Sequence, residues 1–351
     1  MTNPPADTDA QTHSIGRLAE RIAGDPMAGM DADMKAVTEM LAQLGARPLE
    51  QLTPAAARQQ AGLHDAVAAL MARAGTVPED DGVSSEDVMI SGRDGEIPAR
   101  LYRPAALLSR LNPMVLYFHG GGFVTGDLDS HADTARALAR RSGAMVLSVD
   151  YRLAPENPLP AAHDDAWTAW NWLSGMAHRL GGDPRQVAVA GEDAGANLAA
   201  YVAVQARNQR GHQPACQVLV HPMAGLDLGM PSYGETLATQ PFGAPAMRWR
   251  LHQLFAEGQT EHEPLLQLAA RQDLAGLAPA VIVLAQIDPL RSEGEALAAA
   301  LQQAGVPVTC LTYEGVTQGF FGLGLIVTKA LFAQADVADA LRKAFAAAQR
   351  R

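Results

Sequence analysis

Five long, mostly apolar runs constrain this chain more than any other feature: MVLYFHG (114–120), AMVLSVDYR (144–152), VAVAGE (187–192), CQVLVHPM (216–223) and AVIVLAQID (280–288). A strand with one wet face alternates apolar and polar residues, whereas these runs have no polar face and fit strands covered on both sides. Helical periodicity fills the gaps, over 130–142, 161–180, 195–210, 293–304 and 328–349. Short buried strands alternating with helices read as a mostly parallel sheet with helices on both faces. SSEDVMISG (84–92) and EIPARLYRP (96–104) do alternate, and the turn Arg93-Asp94-Gly95 joins them, so they form an expected antiparallel hairpin at one edge. VTCLTYEG (308–315) supplies an eighth strand after Gly305 and Pro307 stop the preceding helix. Ser292 and Glu295 have capping-box spacing for the helix at 293–304.

Residues 1–80 offer no strand. Segments 30–45 and 53–74 are amphipathic helices that must pack on something else, and a lid over the carboxyl edge of the sheet is the economical place. The stretch 225–265 interrupts the alternation and is expected to complete that lid, leaving 81–351 as the α/β domain. Met30, Met34 and Met40 either line an apolar pocket or pack the lid. A net charge of −11 with no Lys/Arg cluster excludes nucleic acid as a partner. The N-terminus MTNPPADTDAQTHS has no apolar core, and no window approaches the roughly 18 apolar residues of a spanning helix, so a cytoplasmic protein without a membrane span is expected. Cys216 and Cys310 lie in strand-like runs and read as buried free thiols; no Cys/His spacing suggests a metal site, and no cofactor is expected.

Chemistry concentrates at the strand ends. HGGGF (119–123) closes the third strand, and its glycines leave backbone N–H groups unshielded, able to fold around a developing negative charge. Further on stand DYRLAPENPLPAAHDDA (150–166), GEDAGANLAA (191–200), DPLRSEG (288–294) and YEGVTQGFFG (313–322). Together, over roughly residues 30–350, these resemble the bacterial hormone-sensitive-lipase-like carboxylesterases of the α/β-hydrolase superfamily. The resemblance implies that fold, with an eight-stranded sheet, a helical lid and a small, partly hydrophobic carbonyl or ester-like substrate. It also implies an oxyanion hole from the N–H groups of Gly120, Gly121 and Ala194, with His119 and Gly122 supporting the loop. Related esterases often dimerise through an edge strand or the last helix, so a homodimer is possible.

The catalytic positions depart from the family. Its elbow reads G-D-S-A-G-G; here Glu192 replaces the aspartate and Asp193 the serine nucleophile. The acid maps to Asp288, which is retained, and the histidine maps to Gln318. Removing the serine or histidine of such a triad costs about 10⁶ in turnover, so serine-type hydrolysis is expected to be lost or nearly so. A carboxylate nucleophile would stall as a covalent ester, because Gln318 cannot accept a proton to activate water. Three readings remain. Asp193 beside an intact oxyanion hole has the parts for proton abstraction α to a carbonyl, as a lyase, cyclase, isomerase or decarboxylase would need. Alternatively the pocket only binds, as in the plant hormone receptor that this family supplies with its catalytic histidine lost. The third is a residual or unconventional ester hydrolase. His221 is the best spare histidine, though one satisfied by backbone is commoner at a strand end; Asp150, Arg152 and Glu156 read as buried charge pairing, and Trp167, Trp170 and Trp172 as core.

Overall fold

The computed structural model describes residues 29–77, 80–92, 95–105, 111–235, 243–255 and 264–350. Eight strands run β1 (Val83–Gly92), β2 (Gly95–Pro104), β3 (Asn112–Phe118), β4 (Met145–Val149), β5 (Gly182–Glu192), β6 (Gln217–Val220), β7 (Ala280–Ile287) and β8 (Val308–Thr317). The helices are α1 (Ala32–Gln43), α2 (Pro54–Gln59), α3 (Leu63–Arg73), α4 (Ala132–Ser142), α5 (Ala161–Met176), α6 (Ala194–Asn208), α7 (Pro231–Glu235), α8 (Ala244–Leu254), α9 (Arg291–Gln303) and α10 (Thr328–Gln349). One sheet has the order β1-β2-β4-β3-β5-β6-β7-β8, in which β2 is antiparallel to both neighbours and the pairs from β4–β3 to β7–β8 are parallel.

The apolar runs explain why the sheet is covered twice. Side chains alternate across a strand, so Met114, Leu116 and Phe118 enter one core with α5, α6 and α9, while Val115 and Tyr117 enter the other with α4 and α10. Ile282 and Leu284 divide from Val281 and Val283 in the same way. Trp170 is buried in the first core, and Trp167 and Trp172 pack against it. Edge strands are different: β8 pairs only with β7, so alternate residues face outward, and Cys310 is exposed, contrary to the expectation from its run, while Cys216 is buried.

Several local expectations are corrected. The 53–74 segment is two helices, because Gly62 breaks it and its N–H donates to Asp65 at the start of α3. Helix α9 starts at Arg291, ahead of Ser292, whose hydroxyl instead accepts from the Ser232 N–H at 3.1 Å and so caps nothing. Arg152 pairs with Asp165 at 2.7 Å, and Glu156 with Arg58, also at 2.7 Å. Arg58 further donates to the carbonyls of Val124 and Ala154, which fastens α2 across the chain that follows HGGGF. Met34 and Met40 are packed in the second core with α3 and Met30 lies against it, so none of the three serves the pocket. Arg93 and Asp94 of the expected turn, the N-terminal segment to residue 28, and parts of 225–265 lie outside the described residues. No helix among the described residues is long and apolar enough to cross a membrane.

Candidate functional site

The carboxyl ends of β3 and β5–β8 bring Gly120–Gly122, Asp193, His221, Asp288 and Gln318 to one edge of the sheet, beneath α1–α3 and α8. Strand β5 delivers Asp193 through a sharp elbow: its φ is 52° and ψ −114°, and α6 starts at the next residue. Such a conformation costs a non-glycine residue about 1–3 kcal/mol, and the surroundings must hold it. They do so closely. The Asp193 N–H donates to the Val220 carbonyl at 3.0 Å, and a methyl group at Gly195 would lie 2.1 Å from the Phe118 carbonyl oxygen.

Asp193 is buried, and its carboxylate does not stand alone. Its Oδ2 accepts from the Gly121 N–H at 3.2 Å and pairs with Arg250 Nη1 at 3.1 Å. Arg250, on α8, is itself 1% exposed and lies over Gly122, where an added Cβ would be 2.4 Å from the arginine Cδ. Sequence reading missed Arg250. The hint was an elbow carboxylate that required a countercharge if buried, but Arg248 stands two residues away in the same helix and nothing in the sequence separates the two. Asp193 Oδ1 has no hydrogen-bond partner among the described residues.

The three N–H groups expected to form the hole are therefore not equivalent. That of Gly121 is taken by Asp193, and that of Gly120 donates to His131 Nε2 at 3.2 Å. His131 was also missed, because it reaches the loop from eleven residues downstream. Its Nδ1 lies 3.1 Å from Ser130 Oγ, a serine–histidine contact beside the triple-glycine loop. Its polarity is wrong for nucleophile activation. Since Nε2 accepts from Gly120, Nδ1 carries the proton and donates to Ser130, whose own hydroxyl proton goes to the Asp127 carbonyl. His119 is held within the loop: its ring stacks on Tyr151 at 4.3 Å and Nδ1 donates to the Gly120 carbonyl at 2.7 Å. Burial, with His131 nearby, pushes its pKa down to about 3.

Below the elbow lies a charged network that accounts for Glu192. Its extra methylene relative to aspartate lets Oε1 accept from the Tyr117 hydroxyl at 2.7 Å while Oε2 stands 3.5 Å from His221 Nε2. Burial works against this carboxylate, but the bond to His221, the His131 and His221 rings close by, and the Tyr117 hydroxyl outweigh it and hold its pKa down at about 2. For His221, burial disfavours the imidazolium, and Glu192 with the fields of Asp288 and Asp193 outweighs it and raises the pKa. His221 ring Nε2 is thus engaged by a carboxylate and not by backbone.

Asp288 accepts the Leu290 N–H on Oδ1 at 2.8 Å, and burial, chiefly, raises its pKa to about 6. Neither its Oδ2 nor Gln318 Oε1 has a hydrogen-bond partner among the described residues. Asp288 and Gln318 therefore make no hydrogen-bonded relay with Asp193 among the described residues. Glu293, next in the same motif, accepts the N–H groups of Ala224 and Gly225 and the Tyr233 hydroxyl, which anchors the chain leaving β6. Over the site opens a cavity of about 1070 Å³, lined by Asp193, Arg250, His221 and Gln318 together with Leu41, Leu49 and Leu63.

Comparison with known proteins agrees with this architecture. The α/β-hydrolase fold family matches residues 115–322. A carboxylesterase of Mycobacterium tuberculosis, NlhH, is 39% identical over 259 residues, covering 72% of this chain and 81% of that protein. The ethyl acetate hydrolase of Pseudomonas putida is 36% identical over 273 residues, covering 77% and 85%. Among solved structures, an ester hydrolase from the metagenome of Lake Arreo superposes with a TM-score of 0.80 at 31% identity, covering 90% of this chain and 99% of that one. A hyperthermophilic esterase from Pyrobaculum calidifontis gives 0.76 at 35% identity, covering 87% and 96%. The eight-stranded sheet, the motif order and these relatives together establish that the chain belongs to the hormone-sensitive-lipase-like carboxylesterase family of the α/β-hydrolase superfamily.

Proposed function

We propose that this protein uses the family's pocket to recognise a small molecule and does not carry out acyl transfer at the elbow. The observation that carries this reading is the placement of Asp193 Oδ2 against the Gly121 N–H and Arg250. An oxyanion hole works when its donors point at the place where negative charge develops. Here a resident carboxylate already takes one of those donors, a guanidinium neutralises it, and Gln318 offers no imidazole to move a proton. Residues 1–80 and the insertion at about 225–265 act as the lid in this proposal; α1–α3 wall the cavity and α8 supplies Arg250.

A second reading has one observation in its favour. Asp193 Oδ1 has no partner among the described residues and belongs to a side chain that lines the cavity, so it can serve as a general base for elimination, cyclisation, isomerisation or decarboxylation of a carbonyl substrate. The two readings share the loss of ester hydrolysis, which a p-nitrophenyl ester assay tests directly. The wild type is expected at background and Asp193→Ser/Gln318→His about 10³-fold above it, within the range a restored nucleophile and base contribute. Wild-type turnover abolished by Asp193→Asn would overturn the recognition reading and make the protein an unconventional hydrolase.

A further inference from the structure

Helix α3 walls the cavity through Leu63, His64 and Asp65, and two kinds of contact hold it there. The first is apolar. Ala66, Val67 and Met71 are buried with Val37, Met40 and Leu41 of α1, and Leu63 reaches Gly319, where an added Cβ would lie 2.7 Å from the leucine Cδ1. The second is an ion pair: His64 Nδ1 donates to Asp133 Oδ2 at 2.9 Å and joins the first turn of α3 to the first turn of α4. Both residues line the cavity, and their side chains are 41% and 31% exposed. Elsewhere the N-terminal helices are fastened by Arg58 to Glu156 and the Val124 carbonyl, by Asp31 to Lys329, and by Asp33 to the Thr328 N–H. Side chains of those types ordinarily keep one charge near neutrality, whereas an imidazole ordinarily changes its charge there.

We propose that the His64–Asp133 pair is a pH-sensitive latch between α3 and α4, tight while the imidazole is charged and looser once it is neutral, so that this wall of the cavity opens more readily as pH rises. As a control on entry to a recognition pocket, the latch rests on the reading above. The charges that bear on the ring are Asp133 from α4, Asp129 from the loop before α4, which also pairs with Arg100, and Asp65 on α3 itself. Helix α1, packed along α3, carries Asp33, Lys35 and Glu39, and the peptide 318–323 beneath Leu63 carries no charge. The hydrogen bond to Asp133, with the fields of the three aspartates, outweighs burial and raises the pKa of His64 above its ordinary 6.5. The contribution of the charged pair is therefore complete below pH 6.5 and is lost as pH rises through the raised pKa. The neutral ring still donates from Nδ1, so the latch loosens without breaking. Both side chains are partly exposed and solvent screens them, so the charge is expected to change the opening of α3 by about threefold.

Hydrogen exchange on the full chain without ligand, followed from about pH 5.5 to about pH 8.5 and corrected for the intrinsic pH dependence of each amide, tests it. Protection of the α3 amides, taken relative to the buried middle of α10, is expected to fall about threefold, with its midpoint above pH 6.5. His64→Gln keeps a neutral donor for Asp133 and should show no such fall. The His64 ring, followed by NMR, should titrate above 6.5 in wild type and lower in Asp133→Asn. Protection that is flat or rises with pH, or a ring that titrates at or below 6.5, would overturn the proposal. So would an equal fall in His64→Gln, which would assign the effect to another group such as His221 or Asp288. The wild-type profile and the ring titration require no variant to fold. Ester turnover by the wild type is a separate readout: it would sink the recognition reading while leaving an observed latch standing.

Discussion

Replacing Arg250 with methionine leaves the Asp193 carboxylate buried without its guanidinium. Both side chains are almost fully enclosed, at 1% and 5% exposure, so solvent screens the pair little. Breaking such a pair by removing one partner costs about 3–5 kcal/mol; the Gly121 N–H still holds Oδ2, which places the expected loss near the lower end, about 3 kcal/mol. With an unfolding entropy of roughly 2.1 cal/mol/K per residue over 351 residues, that loss lowers the melting temperature by about 4 °C. Asp193→Asn in the Arg250→Met background removes the stranded charge, and most of the stability should return, because replacing both partners of a buried pair is often close to neutral. The assay is thermal and urea unfolding of wild type, both single variants and the double. A coupling of about 2–3 kcal/mol is expected between the two sites. Single-variant effects that add to within about 0.5 kcal/mol would refute the idea that this ion pair is what holds the carboxylate at the elbow.

The same contact affects any attempt to restore hydrolysis. Because Arg250 lies over Gly122, p-nitrophenyl ester turnover should rise further when Arg250→Met is added to Asp193→Ser/Gln318→His; equal or lower activity in the triple variant would show that the arginine does not obstruct the hole. Glu192 is depressed from an ordinary 4.5 to about 2, so it contributes stability above pH 4.5 that is lost as pH falls toward 2. Acid unfolding of Glu192→Gln should accordingly be flatter across that window, and an acid limb that matches wild type would contradict the pairing with His221 and Tyr117. Asp288 is shifted the other way, from 3.8 to about 6, so its ionisation destabilises the folded state as pH rises through that range. Asp288→Asn keeps an acceptor for the Leu290 N–H and should melt higher than wild type at pH 8 but not at pH 3; equal differences at both would count against the assignment.

Much of the architecture could be read in advance because it depends on local periodicity. Each of the eight strands lies where a run or an alternating segment stands, and α10 spans the stretch in which the helical pattern was expected. The elbow and the glycine loop were equally visible, since a turn of positive φ and a backbone exposed to substrate require particular residues at particular spacings. Errors arose where a residue's neighbours, not its own pattern, decide the outcome. Cys310 sits in an apolar-looking run but on an edge strand, Ser292 has capping spacing but faces Ser232, and Arg152 prefers Asp165 thirteen residues on to Asp150 beside it.

The sequence by itself determined the fold class and the family, and it put Asp193 in the GEDAGA elbow and Gln318 in the QGF peptide, because these follow from periodicities and contiguous motifs that each lie within a few residues. Only the tertiary structure decided what the substituted carboxylate does. Its partners come from β3 and α8, with Arg250 fifty-seven residues away and Gly121 seventy-two, and no local pattern encodes that meeting. A buried charge is governed by what surrounds it in space, so the character of Asp193 became legible only once the chain had brought Arg250 and Gly121 to it.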